Sequence, residues 1–166
     1  MKIRRGDEID VGNGEQGYLG SYYEAIVSKE INKTMYIVEY KNLIKDDESG
    51  PLKEMLTINE IRPKLLVVPF PIKDLSPGDK IDAFDNDGWW SGTITKKIGS
   101  EYVMHFPTTG ETIPSSSIEK LRFHLDWVEE KWVSSKFGSL ALQMKTGKPR
   151  IRLYVAALVG YGKRFG

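Results

Sequence analysis

The chain repeats one pattern, and that repetition limits what it can fold into. Gly6-Asp7-Glu8-Ile9-Asp10 recurs as Gly78-Asp79-Lys80-Ile81-Asp82. A pair of aromatics follows each copy, Tyr22-Tyr23 and then Trp89-Trp90. Next come Tyr36 to Tyr40 and Tyr102 to Phe106, and each copy closes on an aliphatic–arginine step, Ile61-Arg62 and Leu121-Arg122. The offsets between these landmarks, 72, 67, 66 and 60 residues, shrink steadily. The first copy therefore carries the longer loops, where insertions are tolerated. Four landmarks in one order define two tandem units, 1–66 and 73–132, with 133–166 left as a tail. A unit of about 60 residues buries only a marginal core alone. The apolar stretch between them, Leu65 to Ile72, is expected to pack and hold the pair as one rigid body.

Each unit reads as short strands. Ile9 and Val11 alternate with acids at period two. Tyr23, Ala25 and Val27 share one face, and Trp90, Gly92 and Ile94 share the equivalent face in the second copy. Tyr36, Val38 and Tyr40 match Tyr102, Met104 and Phe106. Turn residues separate the runs, at Gly12-Asn13-Gly14, Asn32-Lys33, Asp46 to Pro51, Asp85-Asn86-Asp87-Gly88 and Thr109-Gly110. This pattern predicts an all-β fold of two small bent barrels, each of four or five strands. Thr57 to Ile61 and Ser115 to Ile118 are expected to be single helical turns.

Several chemistries are excluded. The chain has no Cys, which removes disulfides, thiol catalysis and zinc fingers, and only two His, His105 and His124. We expect no metal and no cofactor. No apolar run is long enough to span a membrane, and the first seven residues lack an apolar signal core. Ser115-Ser116-Ser117 has no neighbouring His or Lys base, and Gly12-Asn13-Gly14 is not followed by the Lys-Ser/Thr of a phosphate loop. The reading is a binding protein and not an enzyme. Charge is unevenly spread. Residues 1–132 carry 17 Lys/Arg against 23 Asp/Glu, whereas 133–166 carry seven basic residues and no acid, for a net charge of +1. An acidic body attracts basic partners.

These residues resemble the plant Agenet domain, a Tudor-like barrel of the "Royal" group. In the first copy the resemblance is carried by Gly6-Asp7, Gly17 to Ala25, Val38 to Leu43, Asp46-Asp47-Glu48, Pro51-Leu52 and Ile61-Arg62-Pro63. In the second it is carried by Gly78-Asp79, Asp87 to Gly92 and His124 to Val128, so it covers residues 3–132. The resemblance implies two tandem Tudor-like barrels and a nuclear chromatin reader that binds methylated lysine on a histone tail. It also implies where the aromatic cage would lie. In the first copy these positions are Tyr18, Tyr22, Tyr23 and Tyr40, with Asp46 or Asp47 as the acid. In the second they are Phe84, Trp89, Trp90 and Phe106, with Asp85 or Asp87. Tyr22 stands where Trp is usual.

A methylated ammonium keeps its charge but loses hydrogen-bond donors, so aromatic faces hold it through cation–π attraction. Adjacent strand residues face opposite ways, so one ring of each aromatic pair belongs to the core. The sequence leaves open which ring that is, and which barrel carries the working cage. Tyr36 and Tyr102, at mid-strand, are expected in the core. The tail adds an alternative. Lys145, Lys148, Arg150 and Arg152, with aromatics interleaved, suit RNA or DNA phosphates. A nucleic-acid adaptor and a protein scaffold without methyl recognition are the competing readings. Apart from such contacts the tail is expected to be poorly ordered.

Overall fold

The computed structural model describes residues 1–12, 14, 20–65, 75–118 and 120–134, and the backbone of 138–140. The connecting stretch 66–74 and the tail 141–166, including Lys145, Lys148, Arg150 and Arg152, lie outside the described residues. Two compact units are present, Met1–Phe123 and His124–Gly166.

The first unit holds both repeats, each with the same five strands. Copy one has β1 (Glu8–Gly12), β2 (Ser21–Glu30), β3 (Met35–Ile44), β4 (Pro51–Thr57) and β5 (Ile61–Pro63). Copy two has β6 (Lys80–Asp85), β7 (Gly88–Ile98), β8 (Glu101–His105), β9 (Thr112–Pro114) and β10 (Lys120–Phe123). In the first, β1 lies between β2 and β5, β3 pairs with β2, and β4 pairs with β3. In the second, β6, β7, β8, β9 and β10 repeat that arrangement strand for strand. Single 3-10 turns, Ile58–Glu60 and Ser115–Ser117, precede the closing strands at the expected places. The ladders even share an irregularity. Register slips between Val27 and Lys29 in β2 and between Ile94 and Lys96 in β7. A bulge bends a strand and raises its twist, which curls a short sheet around its own core.

The period-two faces behave as the alternation demands. Tyr23, Ala25, Val27, Tyr36, Val38 and Tyr40 are buried in the first core, and Ile81, Ile94, Tyr102, Met104 and Phe106 in the second. The β6–β7 loop has only two central residues, and Asn86 and Asp87 have φ of 46° and 62°. Both angles suit the type I′ turn that matches strand twist in a tight hairpin.

The repeats are joined by a ladder and by buried charge. Ser21 pairs with Trp90 and Tyr22 with Trp89, so β2 and β7 run together as neighbours in one ten-stranded sheet. The acids and arginines that marked each repeat meet at this junction. Arg62 reaches Asp10 at 3.3 Å, and Arg122 reaches Asp82 at 2.9 Å. Arg122 also crosses to Asp10 of the other copy, at 3.2 Å, and donates to the Leu65 carbonyl, also at 3.2 Å. Burial pushes the Asp10 carboxyl above its ordinary range, against the pull of Arg122 and Arg62. Each arginine covers an aromatic face. The Arg62 guanidinium lies 3.4 Å from the Tyr22 ring centre, and that of Arg122 lies 4.2 Å from Trp89. The Trp89 indole N–H donates to Glu24 at 3.2 Å, another bond between copies.

The second unit contains a small antiparallel sheet of β11 (Asp126–Val128), β12 (Lys131–Ser134) and β13 (Gly138–Leu140). Trp127 and Trp132 pair across its first hairpin, edge to face, with ring centres 5.0 Å apart.

Candidate functional site

A groove of about 970 Å³ opens at one side of the first barrel. Its aromatic lining is Tyr23 from β2, Tyr40 from β3 and Trp90 from β7 of the other copy. Register explains the tyrosines. Tyr40 lies opposite Ala25, two residues along β2 from Tyr23, so both rings project from one face as diagonal neighbours. At 9% and 6% exposed, Tyr23 and Tyr40 form the floor. Half-buried Trp90 forms a wall, its indole N–H held by the Asp85 carbonyl at 2.8 Å. Asn86, at the tip of the β6–β7 hairpin, lines the same side.

The acids of the groove are Glu54 on β4 and Glu60 at the end of the following turn. The Tyr40 hydroxyl donates to Glu54 at 2.6 Å. Burial and the neighbouring carboxylate push the Tyr40 phenol far above its ordinary range, so it stays protonated and remains a donor. Donation to a carboxylate enriches the ring in electrons, which strengthens its attraction for a cation. Glu60 is fixed by accepting from both the backbone N–H and the hydroxyl of Thr57, at 2.8 and 2.9 Å. No Lys or Arg is among the described residues that line this groove. Its field is negative and its floor is aromatic.

The structure separates the residues expected from sequence. Tyr23, Tyr40 and Trp90 come together in the groove. Tyr22 and Trp89 face the junction, where the guanidiniums of Arg62 and Arg122 occupy their rings. Phe84 stacks edge-on against Trp89 at 5.2 Å beneath the Lys120 ammonium, and Phe106 is buried in the second core. Asp46 and Asp47 are exposed on the β3–β4 loop, where the Ser49 hydroxyl first and the Ser49 N–H second hold the Asp47 carboxyl below its ordinary range. Asp85 and Asp87 are exposed in the β6–β7 turn. None of these four acids is among the groove's lining residues. Tyr18 lies outside the described residues.

Glu54 and Glu60 were missed because Pro51-Leu52-Lys53-Glu54-Met55-Leu56-Thr57 shows no clean alternation. A signal was available in the repeat. The second copy carries Phe106 where the first has Tyr40, and register sets Ile113 at the Glu54 position. The hydroxyl–carboxylate pair is thus replaced by two apolar residues in the second barrel.

Tandem Agenet structures are similar to this chain over both repeats. A crystal structure of Arabidopsis thaliana AGDP1 AGD34 superposes with a TM-score of 0.67 at 31% identity, covering 77% of this chain and 86% of that one. The chain belongs to the Agenet domain family. The family profile for the Agenet domain matches residues 6–65, the first repeat. A structure of ADCP1 tandem Agenet domain 3-4 gives a TM-score of 0.63 at 30% identity, covering 77% of this chain and 84% of that one. Among curated Arabidopsis thaliana proteins, "AGENET DOMAIN (AGD)-CONTAINING P1" is 34% identical over 135 residues, which is 78% of this chain and 25% of that protein. DUF724 domain-containing protein 6 is 30% identical over 145 residues, 86% of this chain and 21% of that protein. The chain therefore spans about a quarter or less of the length of these relatives.

The Agenet groove depends on a glycine in the other copy. A Cβ on Gly88 would lie 2.7 Å from the Tyr23 ring, so only glycine lets the β6–β7 hairpin close against the groove floor. Replacing Gly88 with Ala is expected to tilt that buried ring and cost about 1–3 kcal/mol of stability. Chemical denaturation of the two proteins checks this, and an unchanged midpoint would show that Tyr23 yields freely.

Proposed function

We propose that this Agenet module reads a methylated lysine on a histone tail, with Tyr23, Tyr40 and Trp90 as the aromatic faces. The carrying observation is their convergence on one groove with Glu54 and Glu60 and without a basic lining residue. Each good cation–π contact is worth about 0.5–2 kcal/mol. The carboxylates add attraction for any cation, and they also accept an N–H that a trimethylated ammonium lacks. A monomethyl or dimethyl lysine therefore fits this groove better than a trimethyl one. The Tyr40–Glu54 pair favours the first barrel over the second as the reading site, because Phe106 and Ile113 supply neither acceptor nor charge. Agenet and Tudor-like reader domains are typically non-enzymatic, which agrees with a binding role. Reading histones would also put the protein in the nucleus.

The test is one histone peptide titrated with zero, one, two and three methyl groups against the full chain. Affinity is expected to rise about tenfold from the unmethylated to the dimethylated peptide and then to level or fall. Equal affinity across the series would remove methyl recognition and leave a binder of basic peptides.

A further inference from the structure

The groove continues past the aromatic floor onto β4, and β4 has features that no methyl-lysine cage requires. Its inner face reads Leu52, Glu54, Leu56, all three lining the groove. Leu43 of β3 joins Leu52. Register between β3 and β4 jumps from Glu39–Lys53 to Ile44–Pro51, leaving three extra residues on β3. That irregularity brings Leu43 to the same groove as Tyr40, although the two are three residues apart. Both leucines are partly buried and pack on the first core, which fixes the apolar surface they present. The groove is thus apolar at Leu43 and Leu52 on one side of Glu54, while on the other it holds Met55, Leu56 and a second carboxylate, Glu60.

The edge of β4 supplies the second observation. β4 pairs with β3 alone among the described strands, so no described strand lies along its other edge. An extended peptide adds readily to such an edge through main-chain hydrogen bonds, with alternate side chains facing the pockets. Same-face residues of a strand are about 6.7 Å apart, two residues at 3.3–3.4 Å each. A peptide strand beside β4 repeats that interval, so the spacing of Leu52 and Glu54 is the spacing of its own alternate side chains.

We propose that β4 takes the ligand as an added strand, with the lysine at Glu54 and an apolar side chain two residues away over Leu52 and Leu43. This rests on the methyl-lysine reading and adds a sequence requirement to it. Charge selects the occupant, since two carboxylates and no basic residue line the groove among the described residues.

The experiment uses a twelve-residue Gly/Ser peptide carrying one dimethyl-lysine, titrated against the full chain. Leu is placed in turn at positions −2, −1, +1 and +2 from the lysine. Leu at one of the two even positions, fixed by the direction of the added strand, should raise affinity about tenfold, the scale of filling an apolar subsite. Leu at −1 or +1 projects to the other face and should change little. Leu43→Ser and, separately, Leu52→Ser should each abolish the gain yet still bind the peptide without Leu, with thermal melts verifying that both variants fold. Equal gains at odd and even positions, or none anywhere, overturn the added strand while leaving methyl recognition intact. Loss of binding to every methylated peptide overturns both. Sedimentation of the chain alone completes the test. A dimer that the peptide fails to disperse would assign the β4 edge to a second copy and overturn the proposal.

Discussion

Arg122→Ala is expected to destabilise Met1–Phe123 by about 3–5 kcal/mol, a large part of the 5–15 kcal/mol that holds a typical domain. The partners of Arg122 are shut off from solvent. Asp10 and Asp82, its two carboxylates, are each 0% exposed. Removing the guanidinium leaves Asp82 without its 2.9 Å partner and Asp10 with Arg62 alone from the pair that reached it. It also strips the face of Trp89 and frees the Leu65 carbonyl. Native Met1–Phe123 should unfold in one transition, because the β2–β7 ladder and this ion network both cross between copies. In Arg122→Ala the loss falls mainly on the second copy, since the first retains the Asp10–Arg62 pair. Urea unfolding followed by tryptophan fluorescence tests it. A loss below about 1 kcal/mol would show that the network is solvated and carries little. Arg122→Met offers a separate check, because it keeps most of the side-chain volume but leaves the acids just as exposed to burial without charge. If Arg122→Met matches the native protein, packing and not charge holds the junction.

The same junction shows what a single sequence discloses. Asp10, Asp82, Arg62 and Arg122 stood out as repeat landmarks. Their partnership did not, because the pairs are 52 and 40 residues apart and one contact crosses between copies, over 112 residues. Local charge patterning reports neighbours along a strand or helix, not strands brought together by a ladder. Faces were legible where alternation was strict. Tyr23-Ala25-Val27 declared its core side at period two, and the structure buries all three. The family resemblance implies Tyr22 or Tyr23, and Trp89 or Trp90, as rings that face a cation, and Tyr22 and Trp89 do face one. Here the cations are the protein's own arginines, and no spacing rule reveals that. The acidic run Asp46-Asp47-Glu48 drew attention by density, yet dense charge is what a solvated loop carries. Glu54 and Glu60 act singly, one on a strand edge and one in a capped turn, where each looks like ordinary surface.

Trp90 is legible as a ring of its own copy but not as part of the first barrel's groove, which it reaches only through the pairing of β2 with β7. Trp90→Ala is accordingly expected to weaken binding of a dimethylated peptide by about 2 kcal/mol or more, roughly thirtyfold. Trp presents the strongest cation–π face of the natural side chains, and it is the only one of the three rings here that is half-exposed rather than buried. Tyr23 and Tyr40 also support the first core, so their truncation mixes binding with stability. Trp90 packs only partly on the second core, and its indole bond goes to a backbone carbonyl in its own hairpin. The binding loss should therefore exceed the stability loss. Trp90→Phe keeps a ring and should recover much of the affinity. Phe106→Ala serves as the contrast, because Phe106 is buried in the second core, away from Glu54 and Glu60. It should lower the melting temperature and leave affinity for the peptide nearly unchanged at temperatures where the protein stays folded. Titration calorimetry with parallel thermal melts separates these cases. Should Trp90→Ala bind as tightly as the native chain while Phe106→Ala loses affinity, the second barrel would hold the cation, and the groove over Tyr23 and Tyr40 would serve another part of the ligand.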